Sequence, residues 1–144
     1  MTNILDGRRP VLYGDGSDVR DWIHVEDHCA ALWEILTRGR FGQTYLVGAD
    51  GEASNAEVLA MVCSALGADP EGTVRVPNRP GHDRRFSIDA SKLRSELGWR
   101  PAHTDLAEGI AQTVAWYREN EGWWRPAKAE AERRYAEMGQ LVEG

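Results

Sequence analysis

Tyr13-Gly14-Asp15-Gly16-Ser17-Asp18-Val19-Arg20-Asp21-Trp22 is the stretch from which the fold is read. A short apolar run, 10–13, leads into it. A second, Trp22-Ile23-His24-Val25, leaves it. Both runs read as strands. Gly14 and Gly16 let the backbone turn tightly between them. Asp18 and Asp21 bracket Arg20. An arginine so placed is either a solvated or internally paired surface group, or one that faces a diphosphate, whose shape a planar guanidinium suits.

Outward from this turn, helices and short strands follow. Residues 26–38 read as a helix with acids at its start, Arg38 near its end and Gly39 after it. Cys29, Leu32, Trp33 and Leu36 give it one apolar stripe. Residues 44–47 (Thr-Tyr-Leu-Val) read as a strand between Gly42 and Gly48. Ser54-Asn55-Ala56-Glu57 is a capping box, in which hydroxyl and carboxylate satisfy amides at a helix start. That helix runs to Leu66, with Val58, Met61, Val62 and Ala65 inward and Gly67 as its stop. Residues 74–76 form a strand ended by Pro77, and 85–88 another. Asp89 caps a short helix over 90–97, closed by Gly98. Thr104 or Asp105 starts a longer helix with Leu106, Ile110, Val114 and Tyr117 as its stripe. On the other side of the turn, residues 1–6 read as a helix end closed at Gly7. Residues 122–126 read as a loop and 127–138 as a charged, helix-favouring tail.

The expected fold is mixed α/β, with a main unit over 1–122 and a helical tail over 123–144. The strands are too few for a complete doubly wound sheet. A strand at 44–47 after a crossover helix wants parallel neighbours, and none is evident in this sequence.

The 144 residues fit one domain with a modest core. A net charge of −6 argues against a generally basic surface for nucleic acid and leaves open a local basic patch where arginines cluster. No apolar run approaches the length of a membrane span. The first residues lack a basic segment followed by an apolar core, so they do not read as a signal peptide. The two cysteines, Cys29 and Cys63, read as buried thiols in a reducing cytoplasm.

A second constellation is Asn78-Arg79-Pro80-Gly81-His82-Asp83-Arg84-Arg85. Three arginines and a histidine gather round a rigid Pro-Gly turn, and Gly81 permits a ligand to come close. Like charges this dense need compensation, either from an anion or internally from Asp83 and Asp89. Asn55 stands at a helix amino terminus, where free amides favour anions, or is simply a cap residue. His24 and His28 do not match a zinc pattern, and no metal site is expected. No glycine-rich dinucleotide fingerprint is present, because Val19 stands where the third glycine is needed. No Tyr-x-x-x-Lys occurs.

Tyr13-Gly-Asp-Gly16 followed by Arg20-Asp-Trp-Ile-His-Val-Glu-Asp27 resembles the extended short-chain dehydrogenases that act on nucleotide sugars. The 79–85 run, Ile88-Asp89, Glu96-Leu-Gly-Trp99, Gly109 and Thr113-Val-Ala-Trp-Tyr117 narrow the resemblance to the dTDP-glucose 4,6-dehydratases. The likeness covers roughly 1–125 and implies the substrate-binding, carboxyl-terminal half of that family's chain, with an incomplete Rossmann sheet. In the family, a Rossmann domain holds NAD and supplies the catalytic residues, and dTDP-glucose becomes dTDP-4-dehydro-6-deoxyglucose and water, on the way to rhamnose and related deoxysugars. The resemblance places Val11, Leu12 and Tyr13 along the nucleotide pocket and Arg20 and Asn55 at the diphosphate. It makes Asn78, Arg79, Pro80, Gly81 and His82 a wall of the pocket, completed by Tyr135. Asn78 stands where many members carry Asp. None of the family's catalytic or NAD-binding residues maps onto this sequence.

The expectation is therefore a truncated lyase that binds dTDP or dTDP-glucose, holds no NAD itself and is inactive alone. It would act with a separate Rossmann half in the cytoplasm, without nucleic acid or membrane. Lacking that half, it should self-associate or swap elements. Two alternatives stand beside this: a stand-alone nucleotide-sugar-binding or interaction module (a pseudoenzyme), and a portion of a nucleotide-sugar epimerase or decarboxylase.

Overall fold

The computed structural model describes residues 1–78, 81 and 83–137. Its helices are α1 (Thr2–Leu5), α2 (Val25–Arg38), α3 (Asn55–Leu66), α4 (Ser91–Leu97), α5 (Leu106–Glu119) and α6 (Glu121–Glu137). Its strands are β1 (Val11–Tyr13), β2 (Val19–Asp21), β3 (Glu52–Ser54), β4 (Val74–Val76) and β5 (Arg85–Phe86). The architecture is mixed α/β with small sheets. β1 and β4 pair in parallel, with Leu12 opposite Arg75. In the other sheet β2 is central, antiparallel to β3 and parallel to β5. Arg20 therefore sits between Ala53 and Phe86.

Local chemistry explains the helix ends. Both halves of the capping box form: the Glu57 amide donates to Ser54 Oγ at 3.2 Å, and the Ser54 amide to Glu57 Oε2 at 2.7 Å. Gly67 closes α3 at φ +70°, a conformation that a side chain would strain. Asp105 starts α5 by accepting the Glu108 amide at 3.0 Å.

Two apolar clusters hold the elements. Ala31 of α2 packs with Leu93 and Leu97 of α4 and with Trp99, joined by Tyr45 and Val47. Val62 of α3 packs with Ile110 and Val114 of α5. Asp27 ties the first cluster to the chain before α5. Its carboxylate is buried and accepts the amides of Ala102 and His103, both at 2.9 Å.

Five sequence expectations are corrected. The strand near the opening turn is β2, and residues 22–24 are irregular, because Trp22 Nε1 and the Trp22 amide are drawn off to Ala53 and Gly51 carbonyls. Residues 44–47 form no strand. Tyr45 and Val47 do turn inward while Leu46 is exposed, yet among the described residues no strand lies beside them to complete a ladder. The stripe of α2 is reversed. Cys29, Leu32, Trp33 and Leu36 are exposed, and Ala31 with Ile35 makes the buried side. The pair of buried thiols reduces to one, Cys63, whose burial pushes its pKa up. Finally, 122–126 is helical and belongs to α6. Trp124 is buried there, with Nε1 on the Tyr117 carbonyl at 2.8 Å, and this anchor carries the helix through Pro126.

Candidate functional site

The turn after β1 lies directly on the start of α3. A Cβ at Gly16 would come within 2.7 Å of Leu12 Cδ2 and 2.9 Å of Ala56 Cβ, and φ there is +78°. Only glycine fits. The closeness has a chemical result. The Asn55 amide donates to the Asp18 carbonyl at 3.0 Å, and the Ala56 amide to the Gly16 carbonyl at 2.9 Å. Ser54 Oγ takes the Glu57 amide. The first three amides of α3 are thus spent inside the protein. The free-amide anion site, one of the two readings of this helix start, is closed, and Asn55 can serve a ligand only through its side chain.

The same turn gathers the segment after β4. The Gly14 amide donates to Val76 at 2.8 Å, and a Cβ at Gly14 would stand 3.4 Å from Asn78 Cβ and Nδ2. Asn78 Nδ2 donates to Asp18 Oδ2 at 3.2 Å. Asp18 is only 6% exposed. Burying a carboxylate is costly unless hydrogen bonds meet it. Sequence reading treated Asp18 as a flank of Arg20. The structure makes it the joint between the turn, Asn55 and Asn78.

Arg20 is half-buried on β2, and its guanidinium donates to the Val19 carbonyl at 2.7 Å. Asp21 is occupied elsewhere, accepting the Gly51 amide at 2.9 Å. A Cβ at Gly48 would meet Asp21 Oδ2 at 2.4 Å, so a side chain there would displace this carboxylate.

Arg85 is not part of a ligand wall. It forks onto Glu52, with contacts of 2.7 and 3.2 Å, and braces β5 to β3 across β2. Hydrogen bonding from Ser87, then Arg85, holds the Glu52 carboxyl below the usual range. Neither Asp83 nor Asp89 was needed for this charge; Glu52, unremarked in the sequence, supplies it.

Of the other expected residues, Val11 is half-buried, Leu12 is buried against the turn and Tyr13 is 39% exposed. Leu12 could line a pocket only through its backbone. Gly81 is exposed, at φ +73°. Arg79, Pro80 and His82 lie outside the described residues. Tyr135 is half exposed on α6, whose ion pairs run to Asp6 and Arg8 just after α1.

Two other features lie apart from this cluster. A cavity of about 770 Å³ opens between α3, α5 and α6, walled by Val58, Val62, Leu106, Ile110, Trp116 and Trp123. None of the described binding candidates lines it. Its ionisable wall is Glu26 and Asp105 with His24, His103, Tyr117 and the Met1 amino group, and among the described residues no lysine or arginine lines it to pair with a diphosphate. His24, Glu26 and His103 place ligand-type atoms within 4.8 Å of one another. The two rings lie face to face, 3.9 Å apart at 24°, so their in-plane lone pairs run side by side and do not converge on one ion. His103 Nδ1 lies 3.2 Å from Asp27, a structural partner.

The residues present do not fit NAD. A dinucleotide pyrophosphate needs open amides at a helix start after a glycine turn. The α3 amides are filled, and α2 opens with Glu26 and Asp27, which repel an anion.

The family model for GDP-mannose 4,6 dehydratase matches residues 1–113. This chain belongs to the GDP-mannose 4,6-dehydratase family. Within that family its relatives are the dTDP-glucose 4,6-dehydratases that the sequence motifs resemble. It is 52% identical over 140 residues to those of Mycolicibacterium smegmatis and Mycobacterium tuberculosis, covering 97% of this chain and 42% of theirs. The chain thus spans about two fifths of the length of these curated relatives. Among solved structures it resembles the Streptomyces venezuelae dTDP-glucose 4,6-dehydratase DesIV, with NAD bound, at 46% identity and TM-score 0.81. That match covers 87% of this chain and 38% of that one. A UDP-glucose 4-epimerase from Thermotoga maritima matches at 28% identity and TM-score 0.74, over 81% of this chain and 37% of that one. A protein named for a different sugar chemistry therefore shares this architecture.

Proposed function

We propose that this chain is the dTDP-sugar-binding portion of a dTDP-glucose 4,6-dehydratase, and that the NAD-binding, catalytic portion is a Rossmann unit which this chain does not supply. The observation that carries the reading is the convergence of the turn after β1 with Asn55 and Asn78 on Asp18, one residue from the strand that holds Arg20. Arg20 supplies charge for the diphosphate, and the Asn55 and Asn78 side chains supply neutral hydrogen bonds. Tyr13 and Arg79 to His82 would complete the pocket. The unpaired thiols fit a reducing cytoplasm.

Calorimetry with dTDP, UDP and GDP tests the reading. The 144-residue chain should bind dTDP most tightly, and Arg20→Gln should weaken it about tenfold or more, the worth of a charge-assisted hydrogen bond. Given NAD and dTDP-glucose, the chain should show no turnover. Equal affinity for the three nucleotides, or turnover above background, would overturn the assignment.

A further inference from the structure

We infer that Glu52 and Arg85 are paired positioning residues of the nucleotide site, a clasp that sets β2 and the end of the 78–85 segment without touching ligand. The inference rests on the proposed dTDP-binding reading and deepens it. β5 is two residues long, and both are exposed. Its ladder to β2 has two register pairs, Val19 with Arg85 and Arg20 with Phe86, and the Val19 amide donates to the Arg84 carbonyl at 2.8 Å. So short a strand with no buried side chain has little to hold it. The fork supplies the grip. Arg85 Nη2 donates to both Glu52 oxygens, at 2.7 and 2.9 Å, and Nε donates to Oε2 at 3.2 Å. A two-armed contact of this kind fixes direction as well as distance. Ser87 and Arg85 hold the Glu52 carboxyl below its ordinary range, so the fork stays charged at neutral pH.

What the fork spans connects it to binding. Glu52 lies on β3 and Arg85 on β5, with β2 between them. In the ladders Glu52 stands beside Asp21, and Arg85 beside Val19. Side chains alternate along a strand, so the fork lies on one face of the sheet and Arg20 on the other. The next residues in the chain, Ala53 and Phe86, are the two that flank Arg20. The fork therefore sets the separation of the strands on either side of Arg20. It also ties down the far end of the segment that begins at Asn78, whose near end is held by the Gly14 amide on the Val76 carbonyl. A partly exposed ion pair adds little to global stability. The consequence of this one is registration.

The test is a double-variant cycle read by calorimetry. Glu52→Gln should lower dTDP affinity about fivefold, while the thermal midpoint stays within about 4 °C of the parent. Arg85→Gln should do the same. The double variant should lose no more than either alone, because the two side chains act as one unit. Glu34→Gln is the matched control: it breaks the exposed 2.6 Å pair with Arg38 on α2 and should leave dTDP affinity unchanged. Unchanged affinity in Glu52→Gln would overturn the inference. So would additive losses in the double variant, which would put Arg85 on the ligand itself. A measurement without ligand separates the clasp from the functional reading. The Val19 amide should exchange slowly in the parent and about tenfold faster in Glu52→Gln, and equal exchange would overturn the clasp. If the parent does not bind dTDP, calorimetry ends the functional reading, and the clasp is judged on that amide.

Discussion

Two buried acids decide much at the scale of single residues. Burial works to raise the Asp27 carboxyl, but the amides of Ala102 and His103, with the His103 ring, hold it below the ordinary carboxylate value. Its stabilising contribution is then fully present above the ordinary range and fades as pH falls through the lowered value. Asp27→Ala leaves two amides without their acceptor and should cost about 2–3 kcal/mol in urea unfolding at neutral pH. Loss below about 0.5 kcal/mol would mean that the amides find water at no cost. Asp27 was legible as a helix-start acid, because acids favour that position, but its partners lie 75 and 76 residues away and leave no local trace. Asp18 was legible only in part, for a related reason. Beside Arg20 in sequence, it looked like a charge partner, and the turn at Gly14 and Gly16 that delivers Asn78 to it shows only in space.

Elements were legible where their determinants are local. The Ser54–Glu57 box and the Gly67 and Gly98 stops depend on residues within a turn and form as read, and of the two candidates Thr104 and Asp105 it is Asp105 that caps α5. Residues 44–47 carry strand-like alternation, but a strand is completed by a neighbour, and among the described residues there is none. The α2 stripe was read inside out because that helix has two apolar sides, and sequence cannot say which one α4 covers. The junction at 122–126 was missed because Gly and Pro signal a loop locally, whereas Trp124 and the ion pairs beyond it hold a helix. Those ion pairs bear a pH prediction. Hydrogen bonding from Lys128, then Arg125, lowers the Asp6 carboxyl to about 2. A depressed acid contributes stability above its unfolded value and loses it as pH falls toward the folded one. The grip of α6 on α1 should therefore weaken between about pH 4 and pH 2. Asp6→Asn should remove that step and cost about 1 kcal/mol at pH 7, since the pairs are partly exposed. Trp124, buried and flanked by Arg125, makes its fluorescence the readout. A transition of unchanged size in Asp6→Asn would assign it to another carboxylate.

At the scale of the whole molecule, the outward face of α2 is the feature that a chain of this size leaves unresolved. Val25, Cys29, Leu32 and Leu36 follow one another at intervals of four, three and four, the spacing of a packing seam, and Trp33 widens it. Trp33 is 64% exposed and Leu36 78%. A row of this kind on one helix invites cover. Elsewhere on the chain, residues 44–47 offer backbone groups without a ladder among the described residues. In a chain spanning about two fifths of its relatives, the rest of such a chain is one source of cover, and a second copy is the other that this protein has at hand. Two copies of α2 meeting antiparallel would bury both seams and oppose their dipoles favourably. Sedimentation at micromolar concentration should therefore show dimers or larger species. Leu32→Gln with Leu36→Gln should shift them to monomer without loss of helix content by circular dichroism, since Ala31 and Ile35, which carry the packing on α4, are untouched. A strictly monomeric parent would count against self-association. An oligomer that survives both substitutions would move the contact to another face, for which the apolar cavity beside Trp116 and Trp123 is the next surface to probe.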